Sequence, residues 1–460
     1  MRNWYARSLL VIALALVMAL GASCFGRRGP DKPHVVLIVI DTLRADHVGS
    51  YGYTRPTTPN LDFFAKDAVQ FDNCQAPASW TVPSMASMFA GVYPWRHDIQ
   101  TAETTGQRGI KTQAKMSDAF LTIAESLQKA GYETLGVTAN THMDPKYGMA
   151  QGFEHYEVFN FANRKPVNKQ LKTWSKKLRR LHRRGKPYFL YVHYFDPHHP
   201  YLPVRPFLDN WRPGVKLADV KPMIKDQFIP KVTSGYFYDH PAKMQLLIDL
   251  YDAEIAGVDA SVRKLLDMLP GDDNMMVIIT ADHGEAFGDH KNMLHGGDLY
   301  AEQLHVPLII RFPKRQYAGR AVGNLTSLID LYPTIATAAG AQKPPYLDGV
   351  DLAAYLGAEP PKRERVYAHI SRDPAYLWSA VIGSKTKWMF HGKLHHELLF
   401  DLAEDPHELH NLSEKNKEQC AAWRKHWEQR PNPGVLFTAG TTGEEIDPKL
   451  REQLRNLGYL

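Results

Sequence analysis

The chain has 460 residues, of which 44% are hydrophobic and 23% charged. That balance excludes wholesale disorder and fits one large α/β unit or two domains with ample core. The net charge of +6 comes with no basic-aromatic pattern, so nothing points to nucleic acid, and three cysteines (Cys24, Cys74 and Cys420) are too few for a disulfide framework or a cysteine zinc site.

The chain opens with Arg2 and Arg7, an apolar run from Leu9 to Leu20, and small residues before Cys24. This is the pattern of a secretory signal over residues 1–24, which places the working protein outside the cytoplasm. Small residues directly before a cysteine resemble a bacterial lipoprotein cleavage site, with Gly21 where such sites usually carry leucine. An acylated Cys24 would anchor the protein to a membrane. An uncleaved anchor helix and plain secretion are the alternatives, and the apolar run is short for a comfortable span. Oligomeric state leaves no mark in the sequence.

A polar linker (25–33) leads to "HVVLIVID" (His34 to Asp41), a continuous β-branched run that suits a strand buried on both faces of a mainly parallel sheet. In "SWTVPSMASMFAG" (Ser79 to Gly91), Pro83 fits a first helical turn and Gly91 a helix stop. A helix over roughly Pro83 to Ala90 follows, with Thr81 at its mouth. A second helical pattern covers Met116 to Gly131. From Leu171 to Pro187, Leu171, Trp174, Leu178 and Leu181 recur at helical spacing beneath a basic outer face. A solvated face is the plain reading of that helix; contact with anionic membrane or substrate headgroups is the sharper one. Buried-strand signatures return at Pro187 to Asp196, Asn274 to His283 and Val306 to Phe312, with a long helix over Ala242 to Leu269 between them. Strands alternating with helices predict an α/β layered domain over 34–357. Short turn-separated segments then predict a small antiparallel β subdomain (358–412), and a polar helical tail (413–460) closes the chain.

Three buried strands end on polar residues: Asp41, Asp196, and Asp282 with His283. Ligand sites in open α/β sheets gather outside the carboxyl ends of strands, so convergence is expected. Alone, each acid reads as a cap or turn residue. Asp41, Asp282 and His283 together suit one divalent metal, and the imidazole favours zinc or manganese over calcium or magnesium. Thr81 offers a fourth ligand. It is either a helix N-cap or a nucleophile, activated by the helix terminus and the metal.

These stretches resemble the sulfatase family of the alkaline phosphatase superfamily. "VVLIVIDTLRADHVGSYGY" is similar to the family's opening metal strand, and "TVPSMASMFAG" lies on its nucleophile signature. "VHYFDPHHPY" resembles the substrate-histidine segment, and "TADHGEAFGDHKNMLHG" the second metal segment with its downstream histidine. "LIDLYPTIATAAG", "DGVDL" and "ELLFDLAEDPHELHNL" match later landmarks. The resemblance implies an alkaline-phosphatase-like mixed, mainly parallel sheet. It implies Asp41, Asp282, His283 and Thr81 as metal ligands, with Thr81 also the nucleophile. His198 would contact the transferred group and His295 would protonate the leaving oxygen. Asn140 and His142 fall where many sulfatases carry a lysine and a histidine, so they enter as substrate-binding and catalytic candidates. Arg44 enters as a substrate-binding candidate unless it only pairs with Asp46 or a neighbouring acid. His193, His199 and His290 read as structural.

Two departures matter. Ordinary sulfatases oxidise a Cys or Ser to formylglycine, and threonine cannot give that aldehyde. Met85 replaces the arginine of the maturation signature, and Thr42 a frequent second aspartate. The set looks more like that of one-metal phosphoglycerol transferases, or half of a two-zinc phosphodiesterase site. The expected activity is therefore attack on an anionic phosphoester, above all a phosphodiester. A sulfatase using unmodified Thr81, and a non-catalytic binding protein on the same scaffold, are the alternatives.

Overall fold

The β-branched runs form the centre of an eight-stranded sheet in a computed structural model. The structure describes residues 31–99, 104–105, 111–112, 114–225, 227–371, 377–441, 447, 449 and 452–453. The signal segment and Cys24 lie outside the described residues. In chain order the strands are β1 (His34–Ile40), β2 (Val69–Gln75), β3 (Glu133–Thr138), β4 (His155–Val158), β5 (Tyr188–Tyr194), β6 (Met275–Thr280), β7 (His305–Arg311) and β8 (Ala321–Ser327). Their spatial order is β8-β2-β7-β6-β1-β5-β3-β4.

β1 pairs in parallel with β5 on one side and β6 on the other. Every residue of these three strands is buried, as their unbroken apolar composition requires of a sheet covered on both faces. β7 alone runs against its neighbours β2 and β6. The apolar run at Val306 to Phe312 predicted that strand but carried no information on its direction.

The main helices are α1 (Thr81–Ala90), α2 (Ile123–Lys129), α3 (Arg164–Arg183), α4 (Pro241–Met268) and α5 (Lys417–Glu428). Gly91 ends α1 in the left-handed region, φ 67°, where glycine carries no Cβ penalty. α2 is shorter than the pattern over Met116 to Gly131 suggested. Thr122 starts it through a capping box with Glu125, which fixes the helix entry at that point.

Beyond the main sheet, β9 (Arg365–Ser371), β10 (Leu377–Gly383), β11 (Thr386–His391) and β12 (His396–Asp401) make a separate antiparallel meander. Lys387 of β11 forms a buried ion pair with Glu408 at 2.8 Å. Glu408 also accepts from the backbone of Ala301 and, through its carbonyl, from His290. The C-terminal unit thus clamps the loop that carries His295. In the tail, α5 is followed by Gly440–Thr441, which pairs as a strand with Ala114–Lys115. Among the described residues no helix is long and apolar enough to cross a membrane.

Candidate active site

The carboxyl ends of β1 and β6 lie side by side because the strands pair in register, Val39 opposite Thr280. Asp41 and Asp282 leave those two ends, and His283 follows. Each is fully buried. The turn after β1 is held in place: Thr42 sits at φ 55°, a region that β-branched residues avoid. Its carbonyl accepts from the Tyr251 hydroxyl at 2.7 Å, and its N–H donates to Asp282 Oδ1 at 3.3 Å.

His283 Nδ1 lies 2.9 Å from the Gly284 carbonyl and so carries the proton that bond needs. Its Nε2 is left as a bare lone pair. That nitrogen faces Asp282 Oδ2 at 3.5 Å and Asp41 Oδ1 at 3.8 Å. Both of those oxygens are buried with no hydrogen-bond partner, and the three ligand atoms lie within 4.8 Å of one another. Orphaned buried carboxylate oxygens are costly. Burial, then the neighbouring Asp282, pushes the Asp41 carboxyl up to about 6. Two converging carboxylates and an imidazole with the correct tautomer fit a divalent cation.

Thr81 is the first residue of α1, so its side chain does not cap the helix; Trp80 holds the cap position. Thr81 Oγ1 instead lies 3.3 Å from His283 Nε2 and accepts from Asn140 Nδ2 at 3.3 Å. The same Asn140 amide donates to Asp41 Oδ2 at 2.7 Å. Asn140, at the end of β3, therefore bridges nucleophile candidate and metal-ligand candidate. His193 of β5 faces the same Asp41 oxygen at 3.4 Å. Read from sequence as structural, it belongs to the surround of the site, because β5 is the direct neighbour of β1.

His295 reaches the cluster through the short hairpin of Ala286–Phe287 with Met293–Leu294. Its ring centroid is 4.5 Å from that of His283 and 4.8 Å from that of His198. Its Nδ1 bonds Glu285 Oε1 at 2.9 Å, and Glu285 Oε2 accepts from the Tyr201 hydroxyl at 3.1 Å. Glu285 was not singled out in the sequence; its position two residues after His283 was the available signal. Burial raises its carboxyl to about 8. His198 stacks on Phe195, and its Nδ1 donates to the His199 carbonyl. Burial, then His295, holds it well below the usual histidine range, so its ring stays neutral.

Three other candidates fall differently. His142 packs its ring edge-on to Trp80 and Phe161, while its N–H donates to Asn140 Oδ1. It lies beside Trp80, the residue before Thr81. Asp196 does not converge with Asp41 and Asp282. It accepts from the backbone N–H and the guanidinium of Arg164, the first residue of α3, whose cap is Asn163. Arg44 is a correction to the substrate-binding expectation. Its guanidinium is bidentate to both Asp46 and Asp289 and also donates to the Glu285 carbonyl, which leaves no spare donor for a substrate. His199 stacks on Phe228 and His290 bonds Glu302, both structural.

A family model described as "Sulfatase" matches residues 33–341, and one described as "N-sulphoglucosamine sulphohydrolase, C-terminal" matches residues 291–429. "Uncharacterized sulfatase YidJ" of Escherichia coli is 24% identical over 83% of this chain and 83% of its own. "Multifunctional alkaline phosphatase superfamily protein PehA" of Trinickia caryophylli is 23% identical over 83% of this chain and 91% of its own. Among solved structures, the phosphonate monoester hydrolase of Agrobacterium radiobacter matches with a TM-score of 0.69 at 21% identity, covering 86% of this chain and 95% of that one.

Proposed function

The chain belongs to the sulfatase family, and from that premise we propose that it hydrolyses or transfers a phosphoester, above all a phosphodiester, with the unmodified Thr81 hydroxyl as nucleophile. The observation that carries this reading is Thr81 itself, a threonine whose Oγ1 lies 3.3 Å from both His283 Nε2 and Asn140 Nδ2.

A divalent cation held by Asp41, Asp282 and His283, zinc or manganese before calcium, would supply positive charge to the oxyanions of the transferring group. Thr81 loses its proton to solvent, and its oxygen, oriented by Asn140, attacks phosphorus in line. The bond to the leaving group breaks, and the leaving oxygen takes a proton from His295 Nε2, the ring nitrogen opposite Glu285. Neutral His198, its Nδ1 proton given to the His199 carbonyl, lines the place of the transferring group beside His295. Water or an alcohol then displaces Thr81 from phosphorus, giving up its proton to His295; the first outcome is hydrolysis and the second transfer. A formylglycine hydrate expels sulfate by collapsing to its aldehyde, whereas a threonyl sulfate has no such route. A phosphothreonine needs none.

A second reading, sulfuric ester hydrolysis at the same Thr81, is favoured by the sulfatase descriptions of its relatives. Turnover of aryl sulfate, phosphodiester, phosphomonoester and phosphonate esters, with zinc, manganese and calcium in turn, separates the two. The phosphodiester is expected to be fastest, and a faster sulfate would establish the second reading. Thr81→Ala should lose turnover while keeping its metal; undiminished activity rejects the mechanism. We further propose that residues 1–24 direct export and that acylated Cys24 anchors the enzyme. Cys24→Ala should release it from the membrane fraction.

A further inference from the structure

We propose that the exposed face of α3 docks on an anionic lipid bilayer. This rests on the reading of Cys24 as a membrane anchor. Between Arg164 and Lys186 the chain carries no acidic residue. Val167, Leu171, Trp174, Leu178 and Leu181 are buried against the core. The opposite face presents Lys165, Lys169, Lys172, Lys176, Arg180 and Arg183, all exposed. Their spacing of three or four residues sets them on one stripe. None of these six forms an ion pair among the described residues. Glu133 and Asp272 are engaged by Lys177 and His182 at the margins of the stripe.

The place where the chain enters the fold selects the occupant. His34, the first residue of β1, bonds His182 in the last turn of α3 at 3.2 Å. From Cys24 to Asp31 there are seven residue steps, which reach at most about 25 Å. α3 has 20 residues and is about 30 Å long. A lipid anchor at Cys24 therefore holds one end of the basic stripe close to the bilayer. Cations held near an anionic surface add up and are screened within about 10 Å at ordinary salt. The other end of α3 is tied by Arg164 to Asp196, on the edge of the sheet where Asp41 and Asp282 lie.

Lysine acetylation footprinting tests this on the full chain, bound to phosphatidylcholine vesicles with and without phosphatidylglycerol. On anionic vesicles Lys165, Lys169, Lys172 and Lys176 should acetylate at least several-fold more slowly, with protection lost in high salt. Exposed Lys393 and Lys417, in the C-terminal unit, should label equally on both. Reversing Lys169, Lys172 and Arg180 to Glu should abolish protection of Lys165 and Lys176 without changing turnover of a soluble ester. Equal labelling on the two vesicle types, or protection independent of salt and of the reversal, overturns the proposal. Stronger protection by dextran sulfate than by anionic vesicles would overturn it in favour of a soluble polyanion. The anchor reading fails separately: a chain that floats with neither neutral vesicles nor the membrane fraction lacks the anchor, whereas salt-sensitive floating with anionic vesicles alone still supports the α3 surface.

Discussion

Replacing Glu285 by Gln isolates the role assigned to His295. Glutamine keeps the volume of a fully buried side chain and can still accept from His295 Nδ1 and meet the Tyr201 hydroxyl. What it removes, above the raised Glu285 pKa of about 8 where that carboxyl is ionised, is the negative charge 2.9 Å from the imidazole, so the two enzymes are compared at about pH 9. A bond to a charged group contributes about 1.5–3 kcal/mol and a neutral one about 0.5–1.5. The difference, roughly 1–1.5 kcal/mol, is about one pKa unit of histidine basicity. The proton destined for the leaving oxygen is held correspondingly less. For an alkyl leaving group, which must be protonated as it departs, kcat/KM should fall about tenfold or more. For a nitrophenyl leaving group, stable as its anion, it should change less than about threefold. Steady-state kinetics on paired alkyl and nitrophenyl phosphodiesters, with circular dichroism to confirm folding, read this directly. An equal loss on both esters, or none on the alkyl ester, would refute His295 as the acid.

Other outcomes follow from the same geometry. Arg44→Ala leaves Asp46 and Asp289 without their cation, and because both acids reach solvent stability should drop by only about 1–2 kcal/mol while KM holds; a raised KM at unchanged melting temperature would return Arg44 to the substrate site. Gly284→Ala puts a Cβ onto the Glu302 carbonyl oxygen, beside the His283 ligand. It should cost about 1–3 kcal/mol and weaken metal retention, both measured by thermal melts with and without metal. Asp282→Asn removes one of two buried like charges. In chelator its melting temperature should equal or exceed the parent's, whereas added zinc or manganese should stabilise only the parent.

β1, β5 and β6 were readable because burial on both faces demands unbroken apolar runs. β2 and β8 were not, since "VQFDNCQ" and "AVGNLTS" mix polar residues into strands of the outer part of the sheet. Strand direction is set by pairing partners, so the reversal of β7 lay beyond any local pattern. At the site, Asp41, Asp282 and His283 were legible from strand ends. Asp196 shared that signature, but its partner Arg164 is 32 residues distant and a strand-end pattern does not see it. Asn140 registered in sequence as a missing positive charge; its bridging of Thr81 and Asp41 is a tertiary fact. Glu285 offered only its place two residues after His283, because its role is defined by His295 across a hairpin.

The central claim is an unoxidised threonyl oxygen attacking phosphorus beside a single divalent cation. Acid quench during turnover of a slow phosphodiester, followed by peptide mass mapping, reads that oxygen. A substrate-derived phosphoryl adduct on Thr81, absent from metal-free enzyme and from Thr81→Ala, is the predicted result. Turnover of the diester that persists in Thr81→Ala, with no adduct on the parent chain, would contradict it.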